Sequence, residues 1–149
     1  MALPLFLIPI IAGLVTQVLK PFLNKKYYSS LKVAGMTVPR YGGMPSAHTA
    51  FAVSLATVVG FADGLLSSTF AITVTILFYT IDDALRMRMF LGRHGDAIRR
   101  LIKRLPAKDQ KPYPYVEPQL GHTPKEVIGG AIVGLLISLL LLWLYFEIA

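Results

Sequence analysis

Four long apolar blocks constrain this chain more than anything else in it, because roughly 20 apolar residues are what an α-helix needs to cross the hydrocarbon core of a bilayer, and about 17 suffice. They run over residues 3–23, 44–61, 65–81 and 127–146. Hydrophobic residues make up 54% of the 149, and they are gathered in these blocks rather than spread as the periodic stripes of a soluble fold. In lipid, backbone N–H and C=O groups must be satisfied within their own segment, so each block is expected to be helical. The expected fold class is all-α, an integral membrane helical bundle with about four transmembrane spans, and residues 1–149 are read as one membrane domain. Pro4 and Pro9 are expected to bend the first span. That span lacks a basic n-region and ends in Lys20, Asn24, Lys25 and Lys26 without a small-residue cleavage pattern, so it is read as retained and not as a signal peptide. With no cysteine, the chain has neither disulfides nor thiolate metal sites.

The charges orient the bundle. All fifteen Lys and Arg residues lie in or beside two of the three connections. Lys20, Lys25, Lys26, Lys32 and Arg40 flank or occupy the first, and Arg86 to Lys125 the third, whereas the turn at Asp63 and Gly64 carries none. Four spans put the first and third connections on one side, and the positive-inside rule makes that side cytoplasmic, with both termini outside. The net charge of +7 is therefore read as a match to anionic membrane lipids rather than to nucleic acid. Within the third connection, read as a cytoplasmic basic loop over 82–126, the run Ala97 to Leu105 sets Ile98, Leu101, Ile102 and Leu105 at helical spacing against Arg99, Arg100, Lys103 and Arg104. This pattern predicts a short interfacial amphipathic helix, with a solvated basic loop as the alternative. Four prolines between Pro106 and Pro118 predict an irregular linker.

Three polar clusters sit where spans meet the basic face. The first, Gly42-Gly43-Met44-Pro45-Ser46-Ala47-His48, describes a loop entering a helix with Pro45 near its first position. The N-terminus of that helix would attract an anion with help from Ser46, and His48 in its first turn would be placed to donate a proton; alternatively Ser46 is only a cap and His48 an interfacial histidine. The second cluster is Gly121-His122-Thr123-Pro124-Lys125-Glu126. Thr123 with Glu126 three residues on fits a capping box, and Glu126 can instead fix the tautomer of His122 so that its other nitrogen attacks an electrophile. In the third, Asp82 and Asp83 end the third span, Arg86 gives Asp82 an ordinary i,i+4 partner, and Arg88 is left as an anion clamp. Lys20 would reach the same depth.

Two histidines on separate helix starts, a carboxylate beside one of them, and several cations fit phosphoryl transfer through a histidine. No metal or other cofactor is required. A divalent-cation site built from His48, His122, Asp82, Asp83 and Glu126 is the competing assembly, but no pair has the H-E-x-x-H type of spacing.

From about Gln17 to Gly134, these motifs resemble the divergent branch of the type 2 phosphatidic acid phosphatase superfamily, which is related to acid phosphatases and vanadium-dependent haloperoxidases. In that superfamily a Pro-Ser-x-His motif supplies a general acid, and a later histidine followed four residues on by an acid supplies the nucleophile. Carried over by motif, the resemblance makes His48 the acid, Ser46 a phosphate ligand, His122 the nucleophile and Glu126 its orienting partner. Lys20, Gly43, Asp83 and Arg88 complete the expected phosphate site. Ala47 stands where glycine is usual and Glu126 where aspartate is usual, and the Ser-Arg that normally precedes the nucleophile is missing. Arg88 is the first choice to replace that arginine and Arg86 the second, while Lys20, ahead of Lys32 and Arg40, stands in for the leading lysine motif.

The resulting expectation is a metal-independent phosphatase acting on a phosphomonoester or pyrophosphate of a lipid at the cytoplasmic leaflet, through a phosphohistidine. The alternative is a non-catalytic membrane protein that binds a lipid phosphate in the same pocket, with a haloperoxidase third. Four short spans leave little protein to enclose a site, so a homodimer is expected on general grounds.

Overall fold

The computed structural model describes residues 4–23, 31–33, 36–38, 43–110, 113 and 121–148. Lys25, Lys26, Arg40, Gly42 and Lys111, the side chain of Lys32 and most of the Pro106 to Pro118 run lie outside the described residues. The chain is a helical bundle. Helix α1 spans Leu7–Leu23, α2 Ala47–Ala62, α3 Ser68–Asp82, α4 Arg88–Ile102, α5 Ala107–Gln110 and α6 Pro124–Ile148. The only strands among the described residues form a small antiparallel hairpin between α1 and α2, with Leu31–Val33 (β1) paired to Met36–Val38 (β2) and Leu31 opposite Val38.

The helix starts follow capping chemistry. Ser46 caps α2, its Oγ accepting from Thr49 N at 3.4 Å, and Ser67 caps α3 by accepting from Phe70 N at 3.1 Å. Pro45 therefore precedes the cap instead of opening the helix. Pro124 is the first residue of α6 and the Thr123–Glu126 box closes around it, Glu126 Oε2 accepting from Thr123 N at 2.8 Å and Thr123 Oγ1 from Glu126 N at 3.4 Å. Pro4 lies before α1 and Pro9 within its first turn, so neither costs the helix an internal hydrogen bond, and the proline inside the helix is Pro21.

Helix α2 packs on α1, α3 and α6, and α1 also packs on α6. Small residues set how closely it does so. Ser46, Ala50 and Ser54 on α2 are buried against Gly130, Gly134 and Ser138 on α6, both rows at four-residue spacing. A Cβ at Gly130 or Gly134 would run into the backbone of Ser46 or Ala50, the close approach that small-x-x-x-small pairs allow in membranes. Ser138 Oγ closes the row, 2.6 Å from Ser54 Oγ and 2.7 Å from Gly134 O. Farther from the site, larger side chains fill the space: Ile8, Val58 and Leu142 cluster, and Phe61 meets Phe146 with ring centroids 5.3 Å apart. Gly134→Val is expected to lower stability by about 1–3 kcal/mol through overpacking, read as an earlier thermal melt of the purified protein.

The third helix corrects the expected loop. The chain does not leave the helix at residue 81; a five-residue π segment, Asp83–Met87, joins α3 to α4, and the helical run Ser68–Ile102 is 35 residues long. Residues 83–102 of the expected basic loop are thus helical, and the amphipathic helix starts at Arg88 and ends at Ile102 rather than spanning Ala97 to Leu105. The physical reason is that Met87, Phe90, Leu91, Ile98 and Leu101 continue one exposed apolar stripe while Arg99 and Arg100 pair with Asp96 at 2.7 and 2.8 Å on another side. A helical turn at Ala107–Gln110 also interrupts the expected linker, since Pro106 precedes it and costs no internal bond.

The run Ser68–Ile102 and α6 are each long and apolar enough to cross a membrane, while α1 and α2, at 17 and 16 residues, are shorter apolar helices.

Candidate active site

Two backbone hydrogen bonds tie the three polar clusters together at one end of the bundle. Ser46 N donates to Glu126 O at 2.9 Å, which joins the α2 start to the α6 start. His122 N donates to Ala84 O at 3.2 Å, which joins the α6 start to the π segment. The loop before α6 lies so close to α4 that a Cβ on Gly121 would stand 3.1 Å from Met89 N and 3.2 Å from Arg88 C. A larger residue there would press on the backbone of α4 and need it to give by a few tenths of an ångström.

Between these elements lies a cavity of about 410 Å³ lined by His48, His122, Asp83, Arg88, Ala84, Ile76, Tyr79 and Thr80. Both histidines read from the motifs therefore reach it, one from the first turn of α2 and the other from the residue before the Thr123 cap. His122 is buried, and its Nδ1 lies 3.2 Å from Glu126 Oε2. A carboxylate only accepts, so Nδ1 carries the proton and Nε2 keeps its lone pair. The same Oε2 accepts from Thr123 N. Capping and orienting, two readings of Glu126 that the sequence left open, are performed at once by one oxygen.

The cations divide. Arg88 lines the cavity, and its Nε donates to Asp83 Oδ2 at 2.6 Å. Arg86 pairs with Asp82 at 2.9 Å on an exposed surface and does not line the cavity. Asp83 is an acceptor and can serve a bound anion only through Arg88. Lys20 is buried, within electrostatic reach of Glu126, His48 and His122, but does not line the cavity. Gly43, buried at φ 85°, does not line it either. Ser46 is fully buried, its Oγ engaged by Thr49 N and, at 3.0 Å, by Thr49 Oγ1. It caps α2 and does not line the cavity. Among the described residues no group of three or more His, Asp or Glu side chains is arranged to hold a metal ion.

Sequence reading passed over Ile76, Tyr79 and Thr80, the α3 wall of the cavity. Their spacing to Asp83, at i, i+3, i+4 and i+7 from Ile76, is the signal that puts all four on one helix face.

Burial pushes the His122 imidazole below its ordinary pKa, because the charged form loses hydration. The hydrogen bond and charge of Glu126 act in the opposite direction, and the positive surroundings from Lys20 on α1 and His48 on α2 add to the lowering. His122 is thus held neutral at neutral pH. In a histidine NMR titration its midpoint is expected below about 6.5. Glu126→Gln removes the partner that favours imidazolium, so the midpoint is expected to fall further; a rise would contradict this geometry.

The fold and site together define a membrane helical bundle with a two-histidine cavity beside a carboxylate and an arginine. The chain belongs to the divergent PAP2 family, which it matches over residues 2–137. It is 30% identical over 131 residues, 80% of this chain and 83% of the other, to the uncharacterized membrane protein YuiD of Bacillus subtilis strain 168. No solved structure matches it.

Proposed function

We propose that this protein is a metal-independent phosphatase for a lipid phosphate, either a phosphomonoester or a pyrophosphate, acting through a phosphohistidine at His122. The observation that carries the reading is the joint lining of one cavity by His122, with its Nδ1 tied to Glu126, by His48 and by Arg88. In the first step His122 Nε2 attacks phosphorus, an N–P bond forms as the P–O bond to the leaving oxygen breaks, and His48 gives that oxygen its proton. In the second, neutral His48 takes a proton from water as its oxygen attacks phosphorus; the N–P bond breaks and inorganic phosphate leaves. Arg88 and the positive end of α2 hold the equatorial oxygens. The apolar wall supports a lipid as the bearer of the phosphate: Ile76 and Tyr79 are 43% and 79% exposed, on a helix whose Ile72 and Phe78 also face outward. A substrate held there leaves its tail in the bilayer.

Purified protein in chelator, offered phosphatidic acid, phosphatidylglycerophosphate and a polyprenyl phosphate, is expected to release phosphate from at least one. A second reading, a non-catalytic binder of a lipid phosphate, is favoured by the missing arginine ahead of His122; binding of all three lipids with release from none would establish it.

We place the site and the basic residues on the cytoplasmic side with both termini outside, on the strength of the fifteen cations that the sequence puts in and beside the first and third connections. The chain has no cysteine, so single cysteines report cleanly. Gly64→Cys is expected to react in intact cells with an impermeant maleimide and Lys103→Cys only after permeabilisation; the opposite pattern overturns the orientation.

A further inference from the structure

Asp83 and Arg88 are five residues apart, yet their side chains meet at 2.6 Å. In an α-helix residues at that separation stand about 140° apart around the axis and cannot pair. The other ion pairs of this helical run keep the ordinary spacings: Asp82 with Arg86 and Asp96 with Arg100 at i,i+4, and Asp96 with Arg99 at i,i+3. What permits the exception is the π segment. Arg88 N reaches back five residues to Asp83 O, bypassing Ala84 O, the acceptor it would have in an α-helix. Ala84 O accepts a hydrogen bond from His122 N instead. One extra residue in the turn therefore does two things: it brings Arg88 over Asp83, and it offers the loop carrying His122 a backbone anchor.

We propose that the π segment is the device that supplies this site with its arginine, and that Asp83 is a positioning residue which holds Arg88 by Nε so that Nη1 and Nη2 clamp the phosphate oxygens. The contact uses one carboxylate oxygen and the guanidinium side nitrogen. Among the described residues the two terminal nitrogens of Arg88 have no other bond, so they are the groups left for an anion in the cavity that Arg88, Asp83 and His122 all line. Drawing the arginine from a helix remote in sequence makes up for the one missing ahead of His122, and the Ala84 anchor fixes its register to the nucleophile. This inference rests on the phosphatase reading for the identity of the anion, but its test measures binding and needs no turnover.

The probe is orthovanadate, titrated against the full chain in detergent, with helical circular dichroism confirming that each variant is folded. Asp83→Asn is expected to weaken vanadate binding by about tenfold and Arg88→Ala by more. The double variant is expected to bind no worse than Arg88→Ala alone, because Asp83 acts through Arg88; a merely structural role would make the losses add. Should Asp83→Asn fail to fold, Arg88→Lys decides, since lysine offers no second nitrogen for the anion once Asp83 is satisfied and is expected to lose binding to a similar degree. Asp83→Asn or Arg88→Lys with wild-type affinity, or additive losses, overturns the proposal, as does a wild-type protein that binds no vanadate. Vanadate binding without hydrolysis of any lipid phosphate leaves the clamp standing and removes the phosphatase reading. Hydrolysis with unaltered affinity in the variants removes the clamp alone.

Discussion

His122→Ala is expected to reduce phosphate release by three orders of magnitude or more, an effect of the size seen when the nucleophile of a covalent mechanism is removed. Loss of fold does not account for such a result. The bond that seats this residue runs from its backbone N–H to Ala84 O at 3.2 Å, which alanine keeps, and the Thr123–Glu126 box that starts α6 involves neither ring nitrogen of His122 in its two backbone contacts. The variant is expected to show unchanged helical content and to recover part of its activity in added imidazole, which can enter the vacated space. A variant that retains abundant turnover would exclude His122 as the nucleophile.

His48→Asn is expected to slow hydrolysis of an alkyl phosphate about 10²- to 10³-fold, the range that a positioned general acid contributes. The diagnostic feature is selectivity. A leaving alkoxide needs a proton as its bond to phosphorus breaks, whereas p-nitrophenolate leaves well without one. The same variant should therefore lose far less activity on p-nitrophenyl phosphate. His48 stands in the first turn of α2, on the cavity, with Arg88, Lys20 and Asp83 as the charges around it. Equal losses on both substrates would assign it to binding instead of proton transfer.

Much of this arrangement is legible in the sequence because it depends on local rules. Thr123, Pro124 and Glu126 specify the start of α6 by capping chemistry, and the four apolar blocks specify helices because lipid allows little else. The two histidines could be placed at one membrane depth from the position of each within its own segment. What escaped depends on contacts between segments. The pairing of Asp82 with Arg86 satisfies an ordinary helix, so nothing in Asp82 to Arg88 announces a π turn; that turn becomes visible only through the Asp83–Arg88 contact and the bond from His122 N to Ala84 O. The apolar run ends near residue 81, which suggests a helix end where Asp82 and Asp83 would oppose the dipole; with the chain remaining helical to Ile102 no C-terminus exists at that point and the conflict does not arise. Ser46 illustrates the reverse case. Its position in the motif matches a phosphate ligand, while its burial against Gly130 and its bonds to Thr49 give it a structural place.

Glu126 joins these two levels. Three residues after Thr123 it is a cap, four residues after His122 it is the partner of an imidazole, and a single turn of helix places both at one oxygen. The spacing of the sequence motif is thus the geometry of the site, with the apolar wall added by α3 and the arginine by the start of α4, just past the π segment.

The central claim is a covalent bond between phosphorus and His122, and the measurement closest to it is a rapid quench of enzyme mixed with a ³²P-labelled lipid phosphate, followed by peptide mapping under alkaline conditions that preserve phosphoramidates. The account predicts an acid-labile label on the peptide carrying His122, formed in the early phase of turnover and absent from His122→Ala. Turnover of that lipid with no label on His122 at any quench time, or label retained in the His122→Ala protein, would contradict it.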